Sequence, residues 1–508
     1  MTLRELIAGV GLDVAVPGDG EDPEINGLAY STAAVAPGTL FFCVPGFRAD
    51  GHDFAPQAVE QGAVALVCER PLGLGVPEVV VPSVRAAMAP LAAFFNGNPT
   101  ERLRVVGVTG TNGKTTTAFL VRHILEAAGI RTGLLGTVVS IVGGQEREVE
   151  RTTPEAIDLQ ATFREMLEDG DAACAMEVSS HALSLHRADA IHFACAAFTN
   201  LTQDHLDFHG TIQEYFGAKR KLFTLGRGAR TAVAVINRDD SFGRDLAGEL
   251  EAAGHTRVLT FGVDGDADYT ARDVSYGARG ASFTCTGPGG SAQVTMPLPG
   301  LFNVYNALGA LAAAGALDVP LADAAAALRE APGVPGRFEP VDEGQPFTVL
   351  VDYAHTPDSV ENVLNAGREV LRKEGGGRLI CVLGAGGDRD REKRPLMGAI
   401  ARRYADVVVF TSDNPRSEDP NAIIADIVRG AQEIAPALGP NLSTMEVRPD
   451  RRKAVERAVE LAQPGDMVII AGKGHEQGQE FEDGRKIPFD DRDVAREALQ
   501  ARNAVPSN

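Results

Sequence analysis

The stretch VVGVTGTNGKTTT at 105–117 constrains this chain more than any other. Two branched apolar residues lead into Gly107 and predict a strand ending. Gly110–Thr116 then read G-T-N-G-K-T-T, and an apolar periodicity over 118–128 predicts a helix. A strand, a glycine-rich loop with Lys-Thr and a helix, in that order, make a phosphate cradle within an α/β fold. The glycines let backbone N–H groups approach phosphate oxygens, and the helix N-terminus adds partial positive charge. In such a loop Lys114 reaches the β and γ phosphates, and the Thr115 hydroxyl can hold Mg²⁺. The stretch departs from the strict G-x-x-x-x-G-K-[ST] pattern at Val108, which stands where the first glycine belongs.

A length of 508 residues predicts about three domains, at roughly 150 residues each. Hydrophobic content of 44% and charged content of 23% are those of an ordinary soluble globular protein. The net charge of −21 repels nucleic acid and anionic membranes, so neither is an expected partner. Any anionic ligand must be held by local Lys, Arg, helix N-termini or metal. Six scattered cysteines without a C-x-x-C pair suggest a reducing cytoplasm and no structural zinc. The opening MTLRELIAGVGLDV has acidic residues and no apolar run long enough for a signal peptide or a membrane span.

Three zones follow one another. Up to about residue 98, the runs TLFFCV, AVALVC and EVVVP with helical patterns at 54–61 and 84–95 predict a small N-terminal α/β domain. A second zone, 99–335, carries the P-loop and the strand candidates ACAMEV, ACAAFT and TAVAVI between helical stretches. That alternation predicts a doubly wound parallel sheet. The third zone, 336–508, predicts a Rossmann-like α/β domain. Its runs FTVLV, LICVL, DVVVF and DMVII are each followed at once by a polar loop: DYAHTPD, GAGGDRDREKRP, TSDNPRSEDP and AGKGHE. Ligands of open α/β sheets bind at the carboxyl ends of the strands, so four such loops predict a binding face.

In the central zone Glu177 ends a strand, where a carboxylate can hold the Mg²⁺ of a nucleotide. Asp204, His205, Asp207 and His209 fall within FTNLTQDHLDFHG, a cluster that reads either as a hydrogen-bonded loop or as a metal site. Lys219 lies on the amphipathic turn YFGAKRKLF, where it could equally be a surface lysine.

VTGTNGKTT, MEVSSHAL, TNLTQDHLDFHG, YFGAKRKLF, AVINRDD, LFNVYNALGA, GRFE, DYAHTPD, GAGGDRD, DNPR and GKGHE occur in this order. Together they resemble the ATP-dependent Mur ligases, and in detail the branch that adds the third peptide residue to a UDP-N-acetylmuramoyl-dipeptide. The resemblance covers nearly the whole chain and is weakest at 1–30 and 240–295. It implies that Gly110, Thr111, Asn112, Gly113, Lys114, Thr115 and Thr116 hold ATP. It implies that Glu177 and His205 are ligands of the metals beside the phosphates. It also implies that Lys219 is carbamylated, which turns a cationic amine into a bidentate anion able to stabilise a second Mg²⁺. Asn303 and Arg337 resemble ATP-contacting residues, with Asp352 and His355 on a closing face. Ser31, the loop Phe47-Arg48-Ala49, Thr152, Thr153, Ser179 and Arg187 match positions that hold the UDP-sugar peptide. Arg151 and Leu185 stand at sugar-peptide positions where some relatives carry Asn and Gln. Tyr30-Ser31-Thr32 replaces the usual Asp-Ser-Arg. Arg389, Asp413, Asn414, Pro415, Arg416, Gly472 and Glu476 match the pocket for the incoming amino acid.

The reaction so implied is amide synthesis driven by ATP with Mg²⁺. The γ-phosphate passes to the terminal carboxylate of UDP-N-acetylmuramoyl-L-Ala-D-Glu, and an amino acid displaces it from the acyl phosphate. Arg416 and Asn414 favour meso-diaminopimelate, whose extra far-end carboxylate a guanidinium can grip; Glu476 could take the far-end ammonium. From the residues alone, Arg416 could instead pair with Glu418 or Asp419. A ligase for L-lysine, a folylpolyglutamate synthase and a nucleotide-controlled binding module are the competing readings. DNPR argues against the first and the N-terminal zone against the second. The expected enzyme is a cytoplasmic monomer.

Overall fold

A computed structural model describes residues 1–12, 22–46, 49–224, 230–438 and 443–504. Its strands fall into three main sheets that follow the three zones of the sequence. The first contains four parallel strands, Gly27–Ala29, Thr39–Phe42, Ala63–Cys68 and Glu78–Val80. Helices Leu3–Gly9 and Val84–Phe95 cover one face through Leu6, Val84, Met88 and Leu91. Ser83 begins the second of these by accepting a hydrogen bond from Ala86 N, which satisfies one of the helix's open donors.

The second sheet has eleven strands. Its parallel core runs in the spatial order Arg257–Gly262, Arg230–Asn237, His192–Phe198, Arg104–Thr109, Ala173–Glu177, Thr132–Leu135. Alternate side chains enter opposite layers, as period-2 geometry requires. Val106 and Val108 pack under helices Lys114–Ala127 and Leu301–Ala316. Val105 packs on the other face, with Leu159, Phe163 and Leu250 of helices Ala156–Glu168 and Ser241–Ala253. The doubly wound core is thus present and is extended at both edges by antiparallel hairpins: Ser140–Val142 and Gln145–Arg147 at one, and Tyr269–Gly277, Gly280–Gly287 and Gly290–Met296 at the other, the first of these three pairing parallel to Arg257–Gly262. Strand Gly280–Gly287 alternates between half-exposed and buried residues and Gly290–Met296 is mostly exposed, so this hairpin lacks the continuous apolar runs that mark buried parallel strands.

The third sheet contains six strands. All four apolar runs of the third zone are strands: Thr348–Asp352, Leu379–Leu383, Val407–Phe410 and Met467–Ala471. The last in sequence inserts between the first and second in space, so the four polar loops emerge along one edge around a switch of strand order. Helices Pro357–Lys373, Lys393–Tyr404 and Pro420–Glu433 cover one face; Arg451–Leu461 and Asp491–Asn503 cover the other.

Candidate active site between the second and third sheets

The phosphate loop begins where strand Arg104–Thr109 stops. Val108 lies inside that strand and is fully buried, so the first glycine of the strict pattern has no turn to make here. Gly110 has φ +151° and Gly113 φ +86°; a Cβ on Gly113 would lie 2.4 Å from Asn306 Oδ1. Only glycine meets both demands, backbone conformation and close approach. Helix Lys114–Ala127 starts at the next residue and aims its open N–H groups into the loop.

Two lysines meet at one carbonyl. Lys114 Nζ donates to Gly110 O at 2.9 Å and to Thr111 O at 2.7 Å. Lys219 Nζ donates to the same Gly110 O at 2.6 Å. Lys219 is 1% exposed and reaches the loop from helix Ile212–Arg220. It is therefore a lining residue, not a surface lysine. Burial and the neighbouring Lys114 push its pKa well below the usual lysine range, against the pull of Asp204. Burial likewise lowers the Lys114 pKa, with Glu177 opposing. Beside this pair the Thr115 hydroxyl donates to Glu177 Oε2 at 3.0 Å, and Thr137 N donates to Glu177 Oε1 at 2.7 Å.

The histidine cluster forms the adjacent wall. His205 starts a short helix with φ +53° and approaches Asp204 Oδ2 at 3.3 Å. Burial pushes its pKa down to about 4 despite Asp204, so the imidazole is neutral and can offer a lone pair. His209 hydrogen-bonds Ser180 Oγ at 2.9 Å, with its pKa also pushed down to about 4 by burial. Among the described residues, no group of three or more His, Cys, Asp or Glu is placed to hold a metal ion.

The third sheet closes the other side. Arg337 Nη2 donates to Thr115 Oγ1 at 3.2 Å, and its guanidinium lies 4.6 Å over the Tyr353 ring. Tyr353 in turn packs on His355 and on His475, at 4.6 and 5.2 Å between ring centroids. His355 Nδ1 lies 2.7 Å from Tyr353 O. Asp352 accepts from Phe338 N and Ala354 N, so it shapes the loop around Arg337 and His355. Together these residues border a cavity of about 680 Å³ that contains the phosphate loop, Glu177, Asp204, His205, Lys219, Arg337, Asp352 and His355. Asn303 stands behind it, accepting from Asn306 Nδ2 at 3.0 Å; Asn306 is the residue that faces Gly113.

A second group lies where the first sheet's layer meets the second's. Thr153 Oγ1 donates to Glu177 O at 2.9 Å and accepts from Ser179 N, which ties both residues to the strand end. Thr152 Oγ1 lies 3.1 Å from Thr137 Oγ1. Arg187 pairs with Glu155 at 2.8 Å and donates to Thr153 O. Arg151 and, from the first layer, Arg85 also approach Glu155, at 3.4 and 3.6 Å. Leu185 is the half-buried C-cap of helix Ser180–Ser184. Ser31 and Ala49 are exposed; Phe47 and Arg48 lie outside the described residues. The unusual Tyr30 has a structural account: its hydroxyl donates to Asp158 Oδ2 at 2.7 Å, across the same junction.

The four loops of the third sheet lie together at one edge, where Arg416 pairs with neither Glu418 nor Asp419. Arg416 donates through Nε to Glu480 at 3.0 Å and through Nη1 to Gly387 O at 2.8 Å. Glu418 is instead bound by Arg394 and Arg391, and Asp419 caps helix Pro420–Glu433. Asn414 donates to Glu476 Oε2 at 2.7 Å and accepts from the fully buried Lys473 at 2.8 Å. Asn414 thus orients Glu476 and Lys473 and spends its amide on Glu476. Asp413 lies 3.6 Å from Lys473, and a Cβ on Gly472 would come within 2.6 Å of Asp413 Oδ2. Pro415 is buried, whereas Arg389 is exposed and donates to Asp388 O. Sequence reading missed Tyr353, Thr137, Asn306, Lys473 and Glu480. Tyr353 and Lys473 sit inside the quoted loops DYAHTPD and GKGHE; Thr137 and Glu480 carry no such signal.

Comparison with known proteins matches three family descriptions in sequence order. They are the Mur ligase family catalytic domain over 24–96, the Mur ligase middle domain over 108–314, and the Mur ligase glutamate ligase domain over 336–474. A UDP-N-acetylmuramoyl-L-alanyl-D-glutamate–2,6-diaminopimelate ligase of Geobacillus thermodenitrificans is 48% identical over 487 residues, 95% of this chain and 96% of the relative. A protein of the same description from Streptomyces coelicolor is 48% identical over 497 residues, 96% of this chain and 95% of the relative. A solved structure of a UDP-N-acetylmuramoyl-L-alanyl-D-glutamate–2,6-diaminopimelate ligase superposes with a TM-score of 0.69 at 32% identity, covering 99% of this chain and 100% of that one.

Proposed function

The chain belongs to the Mur ligase family, and we propose that it joins meso-2,6-diaminopimelate to UDP-N-acetylmuramoyl-L-alanyl-D-glutamate with cleavage of ATP. The product is a peptidoglycan precursor made in the cytoplasm; all six cysteines are free thiols, which suits a reducing compartment. Residues 1–98 and the adjoining Arg151–Arg187 region take the UDP-sugar peptide, 99–335 take ATP, and 336–508 take the amino acid.

The observation that carries this reading is the meeting of Lys114, Lys219, Thr115 and Glu177 around the Gly110 turn. The γ-phosphoryl group passes to the terminal carboxylate of the dipeptide and ADP leaves. The amine of diaminopimelate attacks the acyl carbon, a tetrahedral intermediate forms, and its collapse expels phosphate and leaves the amide. Lys114 and the backbone N–H groups at the helix start neutralise charge on the transferring group. Arg337, fixed by Tyr353 and Thr115, adds a second cation from the opposite side.

Mg²⁺ fits the donor set. The Thr115 hydroxyl and the Glu177 carboxylate are hard oxygens 3.0 Å apart, and such an ion usually takes one or two carboxylates with phosphates and water. Bound there it supplies Lewis-acid neutralisation of phosphate charge. His205, being neutral, is a further available donor. Lys219 carries a carbamate in this reading. Two ammonium groups on one carbonyl repel, and the buried amine loses its proton readily. The neutral amine attacks CO₂, forms an N–C bond and releases a proton. The resulting anion removes the repulsion with Lys114.

An acyl phosphate has a direct test. With ATP, the UDP-dipeptide and hydroxylamine but no amino acid, the enzyme should form a hydroxamate of the dipeptide. Ligation of diaminopimelate without any trappable hydroxamate would contradict the intermediate.

A further inference from the structure

The phosphate loop is touched from the third sheet's side by a carboxylate that the mechanism above does not use. Asp358 stands in the first turn of helix Pro357–Lys373, whose start is fixed by reciprocal bonds between Thr356 and Ser359. Its Oδ2 accepts three hydrogen bonds: from Asn112 Nδ2 at 2.6 Å, Thr202 Oγ1 at 2.8 Å and Asn362 Nδ2 at 3.0 Å. The first two donors belong to the second sheet's layer and the third to Asp358's own helix. Asn112 is the third residue of the glycine loop. Its backbone is held within its own layer by Asn200 and Thr199, so its side chain is what reaches across. Thr202 is laced to loop residue Thr111 by two bonds of 3.1 and 3.0 Å. Two and three residues further on come Asp204 and His205.

We propose that Asp358 is a positioning residue for phosphoryl transfer, which locks the phosphate loop and the 199–205 segment into working geometry when the third sheet closes on the second. One oxygen gathers donors from both layers, so the lock exists only when the two are together. Hydrogen bonds to a charged acceptor are among the stronger ones and hold geometry as well as energy. The place of Asp358 in the first turn of a 17-residue helix favours its negative charge, against burial, which raises its pKa. No cation is among its hydrogen-bond or ion-pair partners in the described residues, so its role is to receive dipoles and fix them. The far end of the same helix also crosses the junction: Tyr276 donates to Glu369 Oε2 at 2.6 Å. That contact joins the layers without touching the phosphate loop, and it provides the control.

The proposal rests on the ATP site described above, and the test separates the two. Full-length Asp358→Ala, Asp358→Asn, Thr202→Val, Asp358→Ala/Thr202→Val and Tyr276→Phe are compared with wild type for kcat, each KM and nucleotide binding by fluorescence. Asp358→Ala should lower kcat about 10- to 100-fold, the loss expected when a charged hydrogen-bond hub is removed from a positioned site, with the KM for the UDP-dipeptide little changed. Asp358→Asn, which keeps an acceptor oxygen in the same place, should recover most of the loss. The double variant should be no worse than Asp358→Ala, because both changes break one network. Tyr276→Phe should leave kcat within about twofold, as expected for one peripheral interface bond. Equal losses in Tyr276→Phe and Asp358→Ala, additive effects in the double variant, or no recovery in a folded Asp358→Asn would each overturn the proposal. Wild-type protein that binds no nucleotide would instead overturn the ATP site itself.

Discussion

Replacing Arg416 by alanine tests the choice of amino acid. The guanidinium is 21% exposed and is held on two sides, by Glu480 at 3.0 Å and Gly387 O at 2.8 Å. Among the described residues its hydrogen bonds run through Nε and Nη1, which leaves Nη2 as a donor. In the proposed reading the far-end carboxylate of diaminopimelate meets this donor, and lysine has no such group. Losing one side of such a partly buried charged pair costs about 2–3 kcal/mol, the lower part of the usual range because the site retains some water. At about 1.4 kcal/mol per tenfold, kcat/KM for diaminopimelate should fall roughly 30- to 150-fold. The value for L-lysine should hardly move, so the preference collapses. Arg416→Lys keeps the charge but not the fork and should fall between. Steady-state phosphate release with each amino acid, checked by mass spectrometry of the product, gives both ratios. Equal losses for diaminopimelate and lysine in Arg416→Ala would refute the assignment, since the residue would then be supporting the loop alone.

Lys114→Ala should abolish phosphate release and peptide addition while leaving the circular dichroism spectrum unchanged; near-normal turnover would remove the phosphate loop from the mechanism. Lys219→Ala should be nearly inactive and regain part of its activity with added formate or acetate, which can fill the space of the carbamate; full activity without additives would contradict it. The Glu418 carboxyl is held down to about 2 from an ordinary 4.5, chiefly by the buried Arg394 guanidinium. A depressed carboxylate contributes stability above its unfolded pKa and loses it as the pH falls towards the folded one. Glu418→Gln should therefore lower the melting temperature at neutral pH, and the difference should shrink between pH 4.5 and about 2. A difference that stays constant through that window would refute the ion pair's role.

Much of this was legible because the informative residues are local. The strand, Gly110, Gly113 and Lys114 are contiguous, and their backbone demands are written in the glycines themselves. The four apolar runs of the third zone became strands because buried parallel strands are apolar on both faces. What stayed hidden depends on distant pairs. Read from the residues alone, Arg416 had Glu418 and Asp419, its neighbours in sequence, as alternative partners to the amino acid, yet its ion pair is with Glu480 on the small hairpin Gly478–Glu480/Lys486–Pro488. Lys219 looks like any lysine on an amphipathic turn; only the packing of its helix against the loop buries it on Gly110 O. Tyr30 likewise acquires meaning only from Asp158, 128 residues away.

In the proposed function this chain makes one amide bond between a UDP-linked dipeptide and diaminopimelate for each ATP cleaved. Purified protein should be incubated with ATP, Mg²⁺, UDP-N-acetylmuramoyl-L-alanyl-D-glutamate and meso-diaminopimelate or L-lysine, with phosphate and product mass followed together. One phosphate should appear per molecule of diaminopimelate-extended product, with little product from lysine at equal concentration. Phosphate release without amide formation, or lysine incorporated as efficiently as diaminopimelate, would contradict it.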